Sequence, residues 1–229
     1  MGCKVAAVSD VHSPRYLSEF FAALREVSED PEIFVMAGDM IDKGRVAFLD
    51  PVISRIKRIL GDLRFVAVFG NEEYRSVHNL LRTRYPEVKW LDDELEFFEC
   101  KESLVAIVGT TGSLERPTRW QARNLPGISK LYRERPRLVA GMIRKAKTRT
   151  SKVVLVSHYA LSKETVIGEP ASNWPWLYSP VMEASIVNAK PTIAIHGHAH
   201  KGRPYALLGT VPIYNVAFPL NKKIVIIDV

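Results

Sequence analysis

The stretch Cys3-Lys4-Val5-Ala6-Ala7-Val8-Ser9-Asp10-Val11-His12 opens as a short apolar run and closes on two side chains able to bind a metal. The pattern recurs. Ile33-Phe34-Val35-Met36-Ala37 leads into Gly38-Asp39, and Phe65-Val66-Ala67-Val68-Phe69 leads into Gly70-Asn71-Glu72. Val153-Val154-Leu155-Val156 leads into Ser157-His158, and Thr192-Ile193-Ala194-Ile195 into His196-Gly197-His198-Ala199-His200. Each run is short, β-branched and nearly continuous in hydrophobicity, as strands buried on both faces are. At the carboxyl ends of strands in an α/β sheet, side chains project into a shared crevice. One polar residue after a strand is most often a turn or a helix cap. Five such exits in one chain point instead to a common site. Asp, Asn and His together make a hard oxygen-and-imidazole set that suits divalent Mn, Fe, Ni or Zn, and their number implies a pair of metals.

Between these strands, Leu17 to Ser28, Val46 to Leu60 and Glu72 to Arg84 read as helices, with Pro51 tolerated in an early turn. Later strands are expected at Leu95 to Glu99, Leu104 to Val108, Pro204 to Leu208, Val211 to Val216 and Lys223 to Asp228, the last three as a terminal meander. No linker or repeat divides the chain, and 229 residues with 47% hydrophobic content can fill one core. A single domain over residues 1–229 is the expectation.

The order Asp-x-His, Gly-Asp, Gly-Asn-x-[Asp/Glu], Ser-His, Gly-His-x-His resembles the calcineurin-like metallophosphoesterase family, from Asp10 to His200. The resemblance implies a four-layer αββα sandwich, two packed mixed sheets flanked by helices. It implies two divalent metals, manganese expected and Zn, Fe or Ni admitted. Asp10, His12, Asp39 and His200 would surround one, and Asp39, Asn71, His158 and His198 the other, with Asp39 bridging. Such sites hold metals roughly 3.5–4 Å apart and activate water for in-line displacement at phosphorus. A metal-bridging hydroxide would be the nucleophile.

One position departs from the family pattern. Where the motif usually reads Gly-Asn-His, this chain has Gly70-Asn71-Glu72, so the His thought to protonate the leaving oxygen is replaced by an acid. Glu72 is either a protonated carboxyl acting in its stead or an acidic residue in the first turn of a helix. His196, beside Gly197, is the other catalytic candidate, as a substrate contact or as support for the ligands; a packed histidine is the alternative. His78 reads as ordinary surface.

Cys3 and Cys100 lie in strand-like segments with no framework spacing and read as buried thiols rather than a disulfide or zinc pair. No apolar run approaches a membrane span. Asp10 follows the first strand too closely for a leader, and Met1-Gly2-Cys3-Lys4-Val5-Ala6 lacks the Ser or Thr of a myristoylation motif. A cytoplasmic protein with no membrane partner is expected.

Two segments bear on substrate. The long stretch from Gly109 to Gly127 carries Arg116, Arg119, Trp120 and Arg123, and compact domains rarely keep such loops without a use. After it, a helix from Arg135 to Thr150 would bury Leu138, Val139, Met142, Ile143 and Ala146 and turn Arg137, Arg144, Lys145, Lys147 and Arg149 outward. Ile167 to Pro180 contains Asn173-Trp174-Pro175-Trp176-Leu177-Tyr178, either a wall on which a base stacks or a staple to the core. A net charge of +7 attracts anions. The substrate expected is a phosphate ester, a small molecule or nucleotide, and a phosphodiester before a monoester. A nuclease with nucleic acid as partner is the enzymatic rival. The rival from another class is a metal-binding scaffold, the role implied for the retromer subunit that resembles this family. An exposed edge strand offers a surface for pairing, but no oligomeric state is encoded.

Overall fold

The computed structural model describes residues 2–101 and 103–229. Met1, which opens the lipidation motif considered above, lies outside the described residues. In chain order the strands are β1 (Lys4–Val8), β2 (Ile33–Ala37), β3 (Arg64–Val68), β4 (Val88–Trp90), β5 (Glu94–Cys100), β6 (Ser103–Thr110), β7 (Lys152–Ser157), β8 (Ile193–His196), β9 (Tyr205–Leu208), β10 (Val211–Asn215) and β11 (Val225–Asp228). They form one sheet ordered β11-β1-β2-β3-β4 and a second ordered β5-β6-β7-β8-β10-β9. The helices are α1 (Leu17–Arg25), α2 (Asp50–Leu60), α3 (His78–Arg84), α4 (Arg119–Asn124), α5 (Ile128–Lys147), α6 (Lys163–Val166), α7 (Pro180–Ala189) and α8 (Phe218–Asn221).

Strand alternation sorts the core into layers, because successive side chains point to opposite faces. Ala6, Val8, Phe34, Met36 and Ala67 face Phe20, Leu24, Ile53 and Ile56 of the first helices. Their neighbours Val5, Ala7, Val35, Ala37, Val66 and Val68 face Val105, Ile107, Val154, Val156 and Ile195 of the second sheet. Beyond that sheet, Val108, Val153, Leu155 and Ala194 pack on Val139, Ile143, Met182 and Ile186 of α5 and α7. The architecture is therefore α/β, helices–sheet–sheet–helices. Because β1–β3 and β6–β8 are covered on both sides, they read as unbroken apolar runs.

Several expectations are corrected. Cys3 and Cys100 form a disulfide, Cα to Cα 5.6 Å apart, joining the residue before β1 to the end of β5 and so one sheet to the other. Their 97-residue separation hid the pair, since proximity here comes from the stacking of sheets. The terminal meander is split: β9 and β10 form a hairpin, but β11 leaves it to pair antiparallel with β1. Residues 72–74 precede the helix, which begins as a 3-10 turn at Arg75–Val77 and becomes α3 at His78. α5 starts seven residues earlier than expected and carries Pro136 inside it, while Leu138, assigned to its buried face, is 49% exposed. α4, within the presumed loop, is capped by Thr118, whose side chain and that of Gln121 exchange bonds with each other's backbone.

Candidate metal centre

Every expected ligand leaves the carboxyl end of a strand at the same edge of the two sheets. Asp10 and His12 follow β1, Asp39 follows β2, Asn71 follows β3, His158 follows β7, and His198 and His200 follow β8. Turning the chain sharply there takes unusual backbone: φ is 57° at Asp10, 44° at His12, 51° at Asp39 and 68° at His198. Side chains other than glycine seldom adopt this left-handed region, and such strain gathers at functional sites. Close approach also demands glycine. A Cβ at Gly70 would overlap Asp39 Oδ1, and one at Gly197 would overlap Ser9 Oγ and Asp10 Oδ2.

Two groups of ligand atoms result. Asp10, His12 and His200 converge, as do Asp39, His158 and His198, each set with its candidate ligand atoms within 4.8 Å of one another. His200 Nε2 lies 2.9 Å from Asp10 Oδ1. His12 Nε2 is 3.8 Å from Asp10 Oδ1 and 3.9 Å from Asp39 Oδ2, which places Asp39 between the groups. His158 Nε2 is 3.1 Å from Asn71 Oδ1 and 3.5 Å from Asp39 Oδ2.

The outer hydrogen bonds assign the tautomers, because a carbonyl can only accept. His158 Nδ1–H donates to Ala37 O over 3.1 Å, freeing Nε2. His198 Nε2–H donates to Trp176 O over 3.1 Å, freeing Nδ1. Asp10 is held by the hydroxyl of Ser9 at 2.6 Å and the N–H of His198 at 2.9 Å. Glu73 accepts from the N–H groups of Asp39 (2.7 Å), Met40 (2.8 Å), Ile41 (3.2 Å) and Gly70 (2.8 Å), tying the Asp39 loop to the Asn71 loop. Sequence reading gave Glu73 no role of its own, although it fills the last position of the Gly-Asn-x-[Asp/Glu] motif.

Electrostatics test whether the donor set fits a cation. Burial and the charges of Glu73 and Asp10 push the Asp39 carboxyl well above the usual range. Burial alone would raise Asp10 too, but its bond to His200 and the nearby imidazoles hold it far below. Burial brings His158 down to about 4, and burial with His158 beside it brings His198 down to about 3, so both are neutral, as metal ligands must be. Among the described residues, neither ring nitrogen of His12 has a hydrogen-bond partner; Nδ1 lies 3.2 Å from Asp42 Oδ1 but out of line for a bond. An unsatisfied buried imidazole facing crowded carboxylates is costly without a cation. The donor set fits divalent metals.

The profile of the calcineurin-like phosphoesterase family matches residues 3–202. The chain belongs to that family. It is therefore a metal-dependent phosphoric ester hydrolase. No curated protein matches it in sequence. Solved structures share the calcineurin-like fold at low identity. The phosphopantetheinyl hydrolase of Mycobacterium tuberculosis superposes with a TM-score of 0.70 at 14% identity, covering 94% of this chain and 89% of that one. The NAD nucleotidase of Haemophilus influenzae gives 0.53 at 13% identity, covering 87% of this chain and 39% of that one. The anchor in the inner membrane complex of Plasmodium gives 0.54 at 10% identity, covering 95% and 72%.

In this calcineurin-like phosphoesterase, Glu72 stands beside the cluster but is engaged elsewhere. Its N–H donates to Asp39 Oδ1 over 2.7 Å, and its carboxylate accepts the N–H of Lys43, also over 2.7 Å. Since Glu72 precedes the helix, the first-turn explanation for its acidity falls away. His196 is fully buried, with Nδ1 2.8 Å from Gly197 O and Nε2 2.8 Å from Thr165 Oγ1. Neither nitrogen has an open face toward substrate. His78 is not ordinary surface: it stacks on Phe69 at 3.6 Å, and its Nε2–H donates to Glu73 O over 2.8 Å, bracing the loop that carries Asn71.

Proposed function

We propose that residues 1–229 form a single phosphodiesterase domain that prefers diesters to monoesters, with Glu72 as the feature that sets the preference. The Glu72 carboxylate, tied to Lys43, is one residue from Asn71 and directly bonded through its N–H to Asp39. A phosphodiester carries one negative charge, whereas a monoester near neutral pH carries about two. A carboxylate on the residue next to a metal ligand repels the dianion more strongly. Comparing kcat/KM for bis(p-nitrophenyl) phosphate and p-nitrophenyl phosphate tests this; a monoester preference would refute it.

Asp10, His12, Asp39 and His200 would hold one divalent metal, and Asp39, Asn71, His158 and His198 a second, with manganese as the proposed occupant. When bound, such ions lower the pKa of water and stabilise the attacking and leaving oxygens of an in-line displacement. The protein's own part is to fix donors. Glu73 sets the position of the Asp39 loop, Ala37 and Trp176 set the imidazole tautomers, and His196 acts as a positioning residue that locks Gly197 and α6 to the ligand loop.

The nuclease reading keeps Arg137, Arg144 and Lys145 exposed on α5, but two of the five cations of that basic segment, Lys147 and Arg149, also serve the fold. Arg149 lies over Phe97 at 4.0 Å, and Lys147 Nζ donates to Lys190 O over 2.6 Å at the end of α7. Among the described residues no helix is long and apolar enough to cross a membrane. We place the protein in a cytoplasm where a buried disulfide persists, as in hyperthermophiles.

A further inference from the structure

The two tryptophans of the turn Ala171–Trp176 differ in what they touch. Trp174 packs against Ala160, Val166, Tyr178 and Ala199, and its Nε1–H donates to Glu169 O over 3.1 Å; it staples the turn to the core. Trp176 belongs to none of the core clusters and is half-buried. Its carbonyl is the acceptor for His198 Nε2–H, which fixes the residue at the rim of the metal-ligand cluster. The exposed Arg116 lies over its ring, the guanidinium carbon 5.2 Å from the centroid. Two backbone bonds hold the loops together, Glu115 N–H to Tyr178 O at 2.9 Å and Arg116 N–H to Pro175 O at 3.3 Å.

We propose that Trp176 and Arg116 form one stacking platform for the base of a nucleotide whose phosphate sits on the metal-ligand cluster. The proposal rests on the phosphoesterase reading and adds a substrate class to it. A guanidinium over an indole adds positive charge to an aromatic surface. Bases of any identity stack on such faces, and fixing the phosphate next to His198 leaves the nucleoside to reach the rim. A scattered surface cation would need no such pinning of two loops.

Calorimetric titration of the manganese-loaded protein with the methylenephosphonate analogue of AMP, in which a C–P bond replaces the ester, and with ethylphosphonate compares one phosphonate dianion with and without its nucleoside. The nucleotide is expected to bind about tenfold tighter or more, the scale of one base–aromatic stack. Trp176→Leu should erase that margin, Trp176→Phe should keep most of it, and Arg116→Ala should narrow it. Equal affinities for the two ligands in the wild type, or a margin that survives Trp176→Leu, would overturn the platform. Hydrolysis of bis(p-nitrophenyl) phosphate by the same preparation reports on the phosphoesterase reading independently, since that ester has no base and the binding assay needs no turnover.

Discussion

Glu73 accepts the backbone N–H of Asp39 over 2.7 Å. That bond, with three more to the same carboxylate from Met40, Ile41 and Gly70, makes a buried acid the clamp between two ligand-bearing loops. Glu73→Gln replaces one acceptor oxygen by an NH2 group facing donors. We expect a loss of about 2–4 kcal/mol in unfolding free energy and weaker manganese binding, read by urea denaturation and calorimetry. Wild-type stability in the variant would show that the clamp carries little.

Glu72→Gln removes the negative charge and leaves the Lys43 N–H an acceptor. If the carboxylate filters by charge, monoester kcat/KM rises several-fold relative to diester. If Glu72 instead donates a proton, turnover of a diester with a poor leaving group collapses. Unchanged turnover on that ester removes the acid role.

Burial holds His196 neutral down to about 4, while in the unfolded chain it takes up a proton near 6.5. Between these values the unfolded state binds more protons, so stability falls as pH drops. From pH 7 to pH 5 the contribution is about 2 kcal/mol. Urea unfolding at both pH values should show a smaller loss in His196→Gln than in wild type; equal losses would contradict this account.

The Cys3–Cys100 disulfide closes a loop of 97 residues at the edge opposite the ligands. Cys100→Ser should lower unfolding free energy by about 2–4 kcal/mol and leave metal affinity unaltered. A change in manganese binding would mean that the link between sheets also shapes the site.

What the sequence made legible was whatever is local. Buried strands announce themselves as apolar runs, and ligands at their exits follow from that, so β2 was readable to the residue. Contacts between distant parts of the chain were not: Cys3 and Cys100 meet only because the sheets holding β1 and β5 stack, and β11 pairs with β1 within one sheet. β4, three residues long, lacks a period to detect. The sequence pattern starts a helix at Glu72, because the break at residues 72–74 depends on bonds to Asp39 and Lys43, which no local pattern records. The sequence places His78 at the surface because its partner Phe69, just past the end of β3, lies outside the helical pattern.

Asp39 lies between the two groups of ligand atoms, its Oδ2 3.5 Å from His158 Nε2 and 3.9 Å from His12 Nε2, and the account depends on it. The most direct measurement is manganese stoichiometry together with bis(p-nitrophenyl) phosphate hydrolysis, in wild type and Asp39→Asn. Two bound ions and diester turnover in the wild type, with the second ion and at least about 100-fold of the rate lost in Asp39→Asn, are the predicted result. Undiminished turnover in the variant would contradict a shared carboxylate at the centre of catalysis.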